Sequence, residues 1–365
     1  MSRTAQLDSR SRANPSERFL LGFEGIALPD ELRALLAQGL AGVAIYRRNW
    51  ESIEGLCALT REIRAAAARP VLIGMDAEPG GAFALPEPFT PWPTAAELGA
   101  LNDSKLVQRL AHAIGTELRA VGANLNFSPM LDLHVHADSP VTKDRSFGAD
   151  PQSVGALGAA FIHGLRDAGV MACAKHYPGH GDALLDPHSD LPVFRGTAQR
   201  LDTMELVPFA AAIQEGVQLV MTAHILLPEI EPKRPASLSR KLIEHTLRER
   251  MGFGGAVLAD DLGMGAIRKR YGIREAAVEA VRAGSDIVML CHDWAEVAPA
   301  VEAVAALASH AHNVKEWRAS HERIEWIRDA LLLAEKESAA KGREIIGCAK
   351  HRALSEEINA CLRKM

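Results

Sequence analysis

Val170-Met171-Ala172-Cys173-Ala174-Lys175-His176-Tyr177-Pro178-Gly179-His180-Gly181, continuing to Asp186-Pro187-His188, is the stretch from which the chain can be read. Residues 170–174 form a short, continuous apolar run, the pattern of a strand covered on both faces. Pro178, Gly179 and Gly181 then break the pattern, so the polar groups after residue 174 are read as a loop. Residues 175–188 carry one lysine, three histidines and two aspartates. A strand that runs into a charged, glycine-punctuated loop is where an α/β protein places its working groups. The alternative is a solvated loop that is His-rich by chance. The density of titratable groups at a strand end argues against it.

The same unit recurs on both sides. Apolar runs at 19–28, 42–46, 70–75, 123–131, 218–222, 256–259 and 286–290 read as the other strands. Between them and after the last lie helical segments at 29–38, 52–68, 103–121, 150–168, 197–215, 237–251, 274–283 and 295–307. Their signals include Leu56, Leu59 and Ile63 at helical spacing, and starts at Ser52, Asp103 and Asp150-Pro151. Eight strand–helix units in strict alternation imply parallel strands joined by crossover helices. Eight favour a closed (β/α)8 TIM barrel over an open doubly wound sheet. No Gly-x-Gly-x-x-Gly follows the first strand, so a dinucleotide fold has no support. The expected organisation is a polar, arginine-rich, disordered leader over 1–18, a single barrel over 19–312, and a charged helical C-terminal appendage over 313–365 packed on the barrel.

Composition limits the partners. The chain has 365 residues, is 48% hydrophobic and 24% charged, and carries a net charge of −5 with no basic block. That balance, with 5% aromatic residues, argues against nucleic acid. The first eighteen residues lack the apolar core of a signal peptide, and no run approaches the roughly 18 apolar residues of a membrane helix. The five cysteines (Cys57, Cys173, Cys291, Cys348, Cys361) are scattered, odd in number and without metal-ligand spacing. They read as reduced, mostly buried thiols of a cytoplasmic protein. The sequence calls for no cofactor and no metal.

In a barrel, chemistry gathers at the C-terminal ends of the strands. Those ends carry Asp76 and Glu78, Asp132, Lys175 and His176, His224, and Asp260 with Asp261; the loop after the fifth strand adds His180, Asp186 and His188. Capping or ion pairing explains a single aspartate, but poorly explains so many strand ends at once. Three chemistries fit such a set. Metal-dependent hydrolysis has enough histidines, but His176 and His180 are separated by Pro178 and Gly179 and cannot form a helical i, i+4 site. Phosphoryl binding wants a glycine-rich turn entering a helix, and Gly179-His180-Gly181 is too short and too far from one. Glycoside hydrolysis needs one group at the anomeric carbon, another to protonate the leaving oxygen, and hydrogen-bonders for the sugar hydroxyls. Asp, Lys, Arg and His suit it.

Lys175-His176-Tyr177-Pro178-Gly179-His180-Gly181 with Asp186-Pro187-His188 closely resembles the Lys-His-Phe-Pro-Gly-His-Gly…Asp-Ser-His signature of family 3 glycoside hydrolases. Arg145-Ser146-Phe147-Gly148-Ala149-Asp150-Pro151, Ala259-Asp260-Asp261-Leu262-Gly263-Met264 and Ser128-Pro129-Met130-Leu131-Asp132 are similar to three further motifs of that family, in order, over residues 20–310. The likeness is to its single-domain bacterial β-N-acetylglucosaminidases of cell-wall recycling. It implies a retaining exo-glycosidase that removes terminal β-linked N-acetylglucosamine from muropeptide-type saccharides through a covalent glycosyl-aspartate. It implies Asp260 as nucleophile, His188 as acid/base and Asp186 as the partner that orients it. Asp76, Arg145, Lys175 and His176 match sugar-binding positions, and His224 is placed with them on the pocket wall or just behind it. Strand neighbours point to opposite sides, so only one of Asp260 and Asp261 is expected to face the cleft; the resemblance selects Asp260. His180 is expected to structure the loop, and His134 and His136 to lie at the surface.

One departure stands out. The family pattern Asp-x-Glu-Gly-Gly-Arg-x-x-Arg reads here as Asp76-Ala77-Glu78-Pro79-Gly80-Gly81-Ala82-Phe83-Ala84-Leu85, with a proline inserted and both arginines absent. Phe83, Pro86 and Trp92 are candidates for a more apolar wall, and Arg47 and Arg48 for the lost charge. The departure keeps two alternatives open: a family 3 enzyme acting on another sugar or as a transferase, and a catalytically silent sugar-binding barrel.

Overall fold

The computed structural model describes residues 14–181, 183, 185–308, 314–337 and 342–365. Eight parallel strands close into a barrel in chain order: β1 (Phe19–Leu21), β2 (Gly42–Ile45), β3 (Leu72–Met75), β4 (Leu125–Asn126), β5 (Met171–Tyr177), β6 (Leu219–Thr222), β7 (Ala256–Asp261) and β8 (Ile287–Leu290), with β8 pairing back onto β1. The helices between them are α1 (Asp30–Ala37), α2 (Ile53–Ala66), α3 (Ala95–Leu101), α4 (Ser104–Ala120), α5 (Pro151–Asp167), α6 (Ala198–Arg200), α7 (Leu206–Gln214), a helix of wider π turns over Lys241–Arg250, α8 (Gly265–Arg268), α9 (Ile273–Ala283) and α10 (Trp294–Ala308). Their starts follow from local chemistry. Ser52, Asp103 and Asp150 each accept a backbone N–H of the first turn, and Thr94 forms a capping box with Glu97.

The strands bury both faces, and their side chains divide with a period of two. Along β5, Met171 and Cys173 point into the barrel interior while Ala172 and Ala174 face the helices; along β7, Ala256 and Leu258 point in while Val257 and Ala259 point out. The interior layer includes Leu20, Leu72, Phe127, Leu219 and Ile287. Gly74 on β3 leaves the space that the Phe127 ring fills, since a Cβ there would lie 2.4 Å from Phe127 Cζ. Extending the inward parity upward predicts what stands at the mouth: Tyr46, Asp76, Lys175 and Asp260.

The C-terminal part adds α11 (Val314–Glu337) and α12 (Ala349–Leu362). Ile324, Ile327 and Leu331 of α11 join the interior layer, and α12 lies against α3 and α4. Residues 1–13 of the expected leader lie outside the described residues. Residues 15–18 do not continue it: Pro15–Arg18 is a 3-10 turn capped by Asn14, and Ser16, Glu17 and Arg18 are buried. The reason is α11, whose Ser320 hydroxyl and Trp317 carbonyl accept from the Arg18 guanidinium at 2.5 and 3.1 Å. Among the described residues, no helix is long and apolar enough to cross a membrane. All five cysteines are free; Cys173 and Cys291 are buried, and the other three are half-buried rather than enclosed.

Candidate active site

A cavity of about 660 Å³ opens at the C-terminal ends of the strands. Its lining brings together Asp76, Arg145, Lys175, His176, His180, Asp186, His188, Asp260 and Asp261, drawn from three strand ends and two long loops. Two strand irregularities build it. The β5–β6 register shifts between Ala174 and Tyr177, and the β7–β8 register shifts between Ala259 and Asp261. Each shift breaks the period of two, so consecutive residues, Lys175 with His176 and Asp260 with Asp261, both reach the cavity. This corrects two expectations. Lys175 and His176 belong to β5 rather than to a loop, and Asp261 is not turned away from the cleft.

The two aspartates are nevertheless different groups. Asp261 accepts from the backbone N–H of Gly263 and Cys291 and from His292 Nδ1, at 2.9–3.1 Å, so its carboxylate is fully engaged. Asp260 accepts the Asp261 N–H at 2.8 Å. Burial pushes its carboxyl up, but His176, His224, that N–H and Lys175 outweigh burial and hold it below the ordinary carboxylate value. An ionised, buried carboxylate facing a cavity can attack an electrophilic carbon or stabilise a cation there.

A cluster of fixed charge stands beside it. Lys175 Nζ lies 2.7 Å from both Asp76 Oδ1 and Glu78 Oε1. Arg145 grips Glu78 through Nε at 2.8 Å and Nη2 at 2.7 Å, and Phe83 lies over the guanidinium, 4.2 Å from its carbon to the ring centre. Burial alone would raise Glu78, but Lys175 and Arg145 hold it down at about 2. Burial alone would lower Lys175, but Asp76 and Glu78 raise it. Asp132, fully buried, accepts His176 Nδ1 at 2.7 Å and the His180 N–H at 2.6 Å, which fixes the His176 ring. With Nδ1 donating to a carboxylate, Nε2 of His176 is left for a ligand.

His188 stands on the rim, about two-thirds exposed, with Nδ1 2.8 Å from Asp186 Oδ1. The same oxygen accepts the His188 backbone N–H at 2.8 Å. Burial raises Asp186, but the His188 N–H groups and charge, with His180, lower it below its ordinary value. An ionised partner at Nδ1 makes Nε2 the atom through which His188 can take or give a proton.

Of the two places expected for His224, the structure gives the one behind the wall, and it is not a sugar-contacting residue. It is fully buried, with Nδ1 2.7 Å from Ser237 Oγ and Nε2 3.0 Å from the Asp261 carbonyl oxygen. Both ring nitrogens are engaged, so neither is left for a sugar. His180 has the reverse problem. Its backbone orders the loop as expected, yet its buried ring nitrogens have no hydrogen-bond partner among the described residues, and burial lowers its pKa to about 4, which keeps it neutral. Of the two arginines considered as replacements, Arg48 lines the cavity while donating to the carbonyls of Phe23 and Cys291; Arg47 instead donates to the Trp50 carbonyl. Ala82 and Phe83 are on the wall; Pro86 and Trp92 are not. Sequence reading missed Tyr46, Arg268 and His292, which also line the cavity. Tyr46 and His292 follow the ends of β2 and β8, so the strand-end rule applied to every strand would have found them.

A family model described as the glycosyl hydrolase family 3 N-terminal domain matches residues 6–326. A beta-hexosaminidase of Thiobacillus denitrificans is similar, 39% identical over 280 residues that span 75% of this chain and 77% of that protein. Among solved structures, a glycoside hydrolase family 3 beta-N-acetylglucosaminidase from a Paenibacillus species matches with TM-score 0.89 and 35% identity, covering 95% of this chain and 68% of the other. NagZ from Neisseria gonorrhoeae, solved with N-trifluoroacetyl-D-glucosamine, matches with TM-score 0.73 and 28% identity, covering 94% and 98%.

Proposed function

The chain belongs to glycosyl hydrolase family 3 and is a glycoside hydrolase of the β-N-acetylhexosaminidase kind, and from that premise we propose that it removes terminal β-linked N-acetylglucosamine with retention, through a glycosyl-Asp260 intermediate. The observation that carries this reading is the pairing in one cavity of an ionised carboxylate at the β7 end with a His–Asp dyad on the rim. In the first step the Asp260 carboxylate attacks the anomeric carbon while His188 Nε2 gives its proton to the departing oxygen. In the second, the same nitrogen takes a proton from water, which displaces Asp260. Asp186 holds the imidazole in the tautomer that does both and stabilises its charged form. Asp76, Lys175 and the Nε2 of His176 supply hydrogen bonds to sugar hydroxyls. Arg145 acts with them mainly by ordering Glu78, since two of its nitrogens already hold that carboxylate.

The substrate class follows from the same premise. NagZ, one of the similar proteins, was solved with an N-acyl glucosamine. We assign the chain to cytoplasmic muropeptide fragments in cell-wall recycling. Ala82, standing where the family pattern has arginine, and Phe83 beside it on the wall favour a second reading in which the pocket prefers another sugar. A panel of aryl β-glycosides tests the choice. The aryl N-acetylglucosaminide should be turned over at least about 100-fold faster in kcat/KM than the glucoside, a margin that a few well-placed hydrogen bonds supply. A preference for the glucoside would overturn the assignment of sugar.

A further inference from the structure

We propose that residues 264–270, directly after the strand that carries Asp260, are the dock for the loop that carries His188, with Gly265 and Arg270 as its positioning residues. The proposal rests on the reading of His188 as acid/base.

Residues 186–190 are tied together by their own hydrogen bonds. Besides the two His188 contacts to Asp186 Oδ1, the Asp186 carbonyl accepts from the N–H of Ser189 and Asp190 and from the Ser189 hydroxyl, at 2.9–3.2 Å. What places this unit over the cavity lies elsewhere. Two successive carbonyls, those of Pro187 and His188, accept the N–H groups of Ala266 and Gly265 at 3.0 and 3.1 Å. Beyond the histidine, Asp190 accepts from Arg270 Nη1 at 2.7 Å and stands 3.6 Å from Lys269 Nζ. Nucleophile and acid/base are thus tied to one short length of chain, five residues from Asp260 to Gly265.

Gly265 is required by this approach and not by its backbone conformation, because its φ is not positive. A Cβ at this position would fall 2.5 Å from the His188 oxygen and 2.7 Å from the Ser189 oxygen. Both are main-chain atoms and cannot rotate away, so a side chain here lifts the loop. The Asp190–Arg270 pair is solvent-exposed on both sides and adds little to global stability. Its part is to hold the far end of the loop. A displacement of about 1 Å at a reacting group can cost about 100-fold in rate.

The test measures kcat/KM for aryl N-acetylglucosaminides whose phenols differ in acidity, because protonation matters only when the leaving group is poor. Gly265→Ala should lose about 10- to 100-fold on a poor leaving group and less than about threefold on 2,4-dinitrophenolate. Arg270→Ala should show the same pattern with a smaller loss, and the exchange Asp190→Arg with Arg270→Asp should restore most of it. His188→Ala is measured alongside. If His188→Ala shows the leaving-group dependence while Gly265→Ala and Arg270→Ala lose equally on all substrates or lose nothing, the dock is overturned and the acid/base reading stands. If His188→Ala lacks the dependence, both are overturned. Should Gly265→Ala fail to fold, Arg270→Ala and its charge exchange decide alone.

Discussion

At the N-terminal end of the barrel, Asp286 is fully buried and accepts from Arg248 at 2.6 Å, from Arg323 at 2.9 Å and from the Val257 N–H at 2.8 Å. At the opposite end, Lys175 is almost as deeply buried, between Asp76 and Glu78. Both are charge networks in a low-dielectric place, yet they are arranged for different ends. Arg248 comes from the 241–250 helix and Arg323 from α11, so Asp286 ties two helices to the start of β8. Arg18 does the same for the segment before β1, lying over the Trp317 ring at 3.8 Å. At the mouth, the paired groups come from strand ends and face a cavity, and Asp260 and His188 keep atoms free for a substrate. In a barrel, one end carries stability and the other carries chemistry.

Breaking the lower network should therefore have the largest effect on folding. Asp286→Asn removes the buried carboxylate that Arg248 and Arg323 share, leaving Arg248 only Glu244 at 3.4 Å among the described residues, and loss of one partner of a buried pair costs about 3–5 kcal/mol. The urea midpoint should fall accordingly, while kcat of the folded enzyme stays within a factor of about two, since no part of Asp286 lines the cavity. A loss of kcat with unchanged stability would contradict the division between the two ends.

The upper network offers a smaller, pH-resolved effect. Glu78 is held at about 2 by Lys175 and Arg145 against burial. A depressed carboxyl contributes its full stability above its unfolded value of roughly 4.3 and loses it as pH falls from there towards about 2. Equilibrium unfolding should show the wild type weakening through that window and Glu78→Gln weakening less. Equal slopes in the two proteins would mean that the Glu78 pairing is not retained in solution.

The sequence showed the barrel more clearly than the site. Continuous apolar runs marked all eight strands because each is covered on both faces, so β1 to β8 were legible from composition alone. The same criterion ended β5 at Ala174 and β7 at Ala259, because it stops at the first charge. The charges beyond those points belong to the strands and point into the mouth. α3 was missed, being short and lying in a loop rich in proline. The Lys175–Glu78–Arg145 contacts join residues 67 and 97 positions from Glu78, so only strand order could bring them together. His224 shows the limit in the other direction. Its place near a strand end was legible, but its bond to the Asp261 carbonyl was not.

The central claim is that the carboxylate at the tip of β7 becomes bonded to sugar. Incubation with a 5-fluoro glycosyl fluoride of N-acetylglucosamine, followed by peptide mass analysis, tests it directly, because the ring fluorine slows both steps while the good fluoride leaving group speeds only formation, so the intermediate accumulates. The account predicts one added fluoro-sugar, on the peptide containing Asp260 and on that residue. A sugar carried by any other side chain, or full inactivation with no covalent adduct, would contradict it.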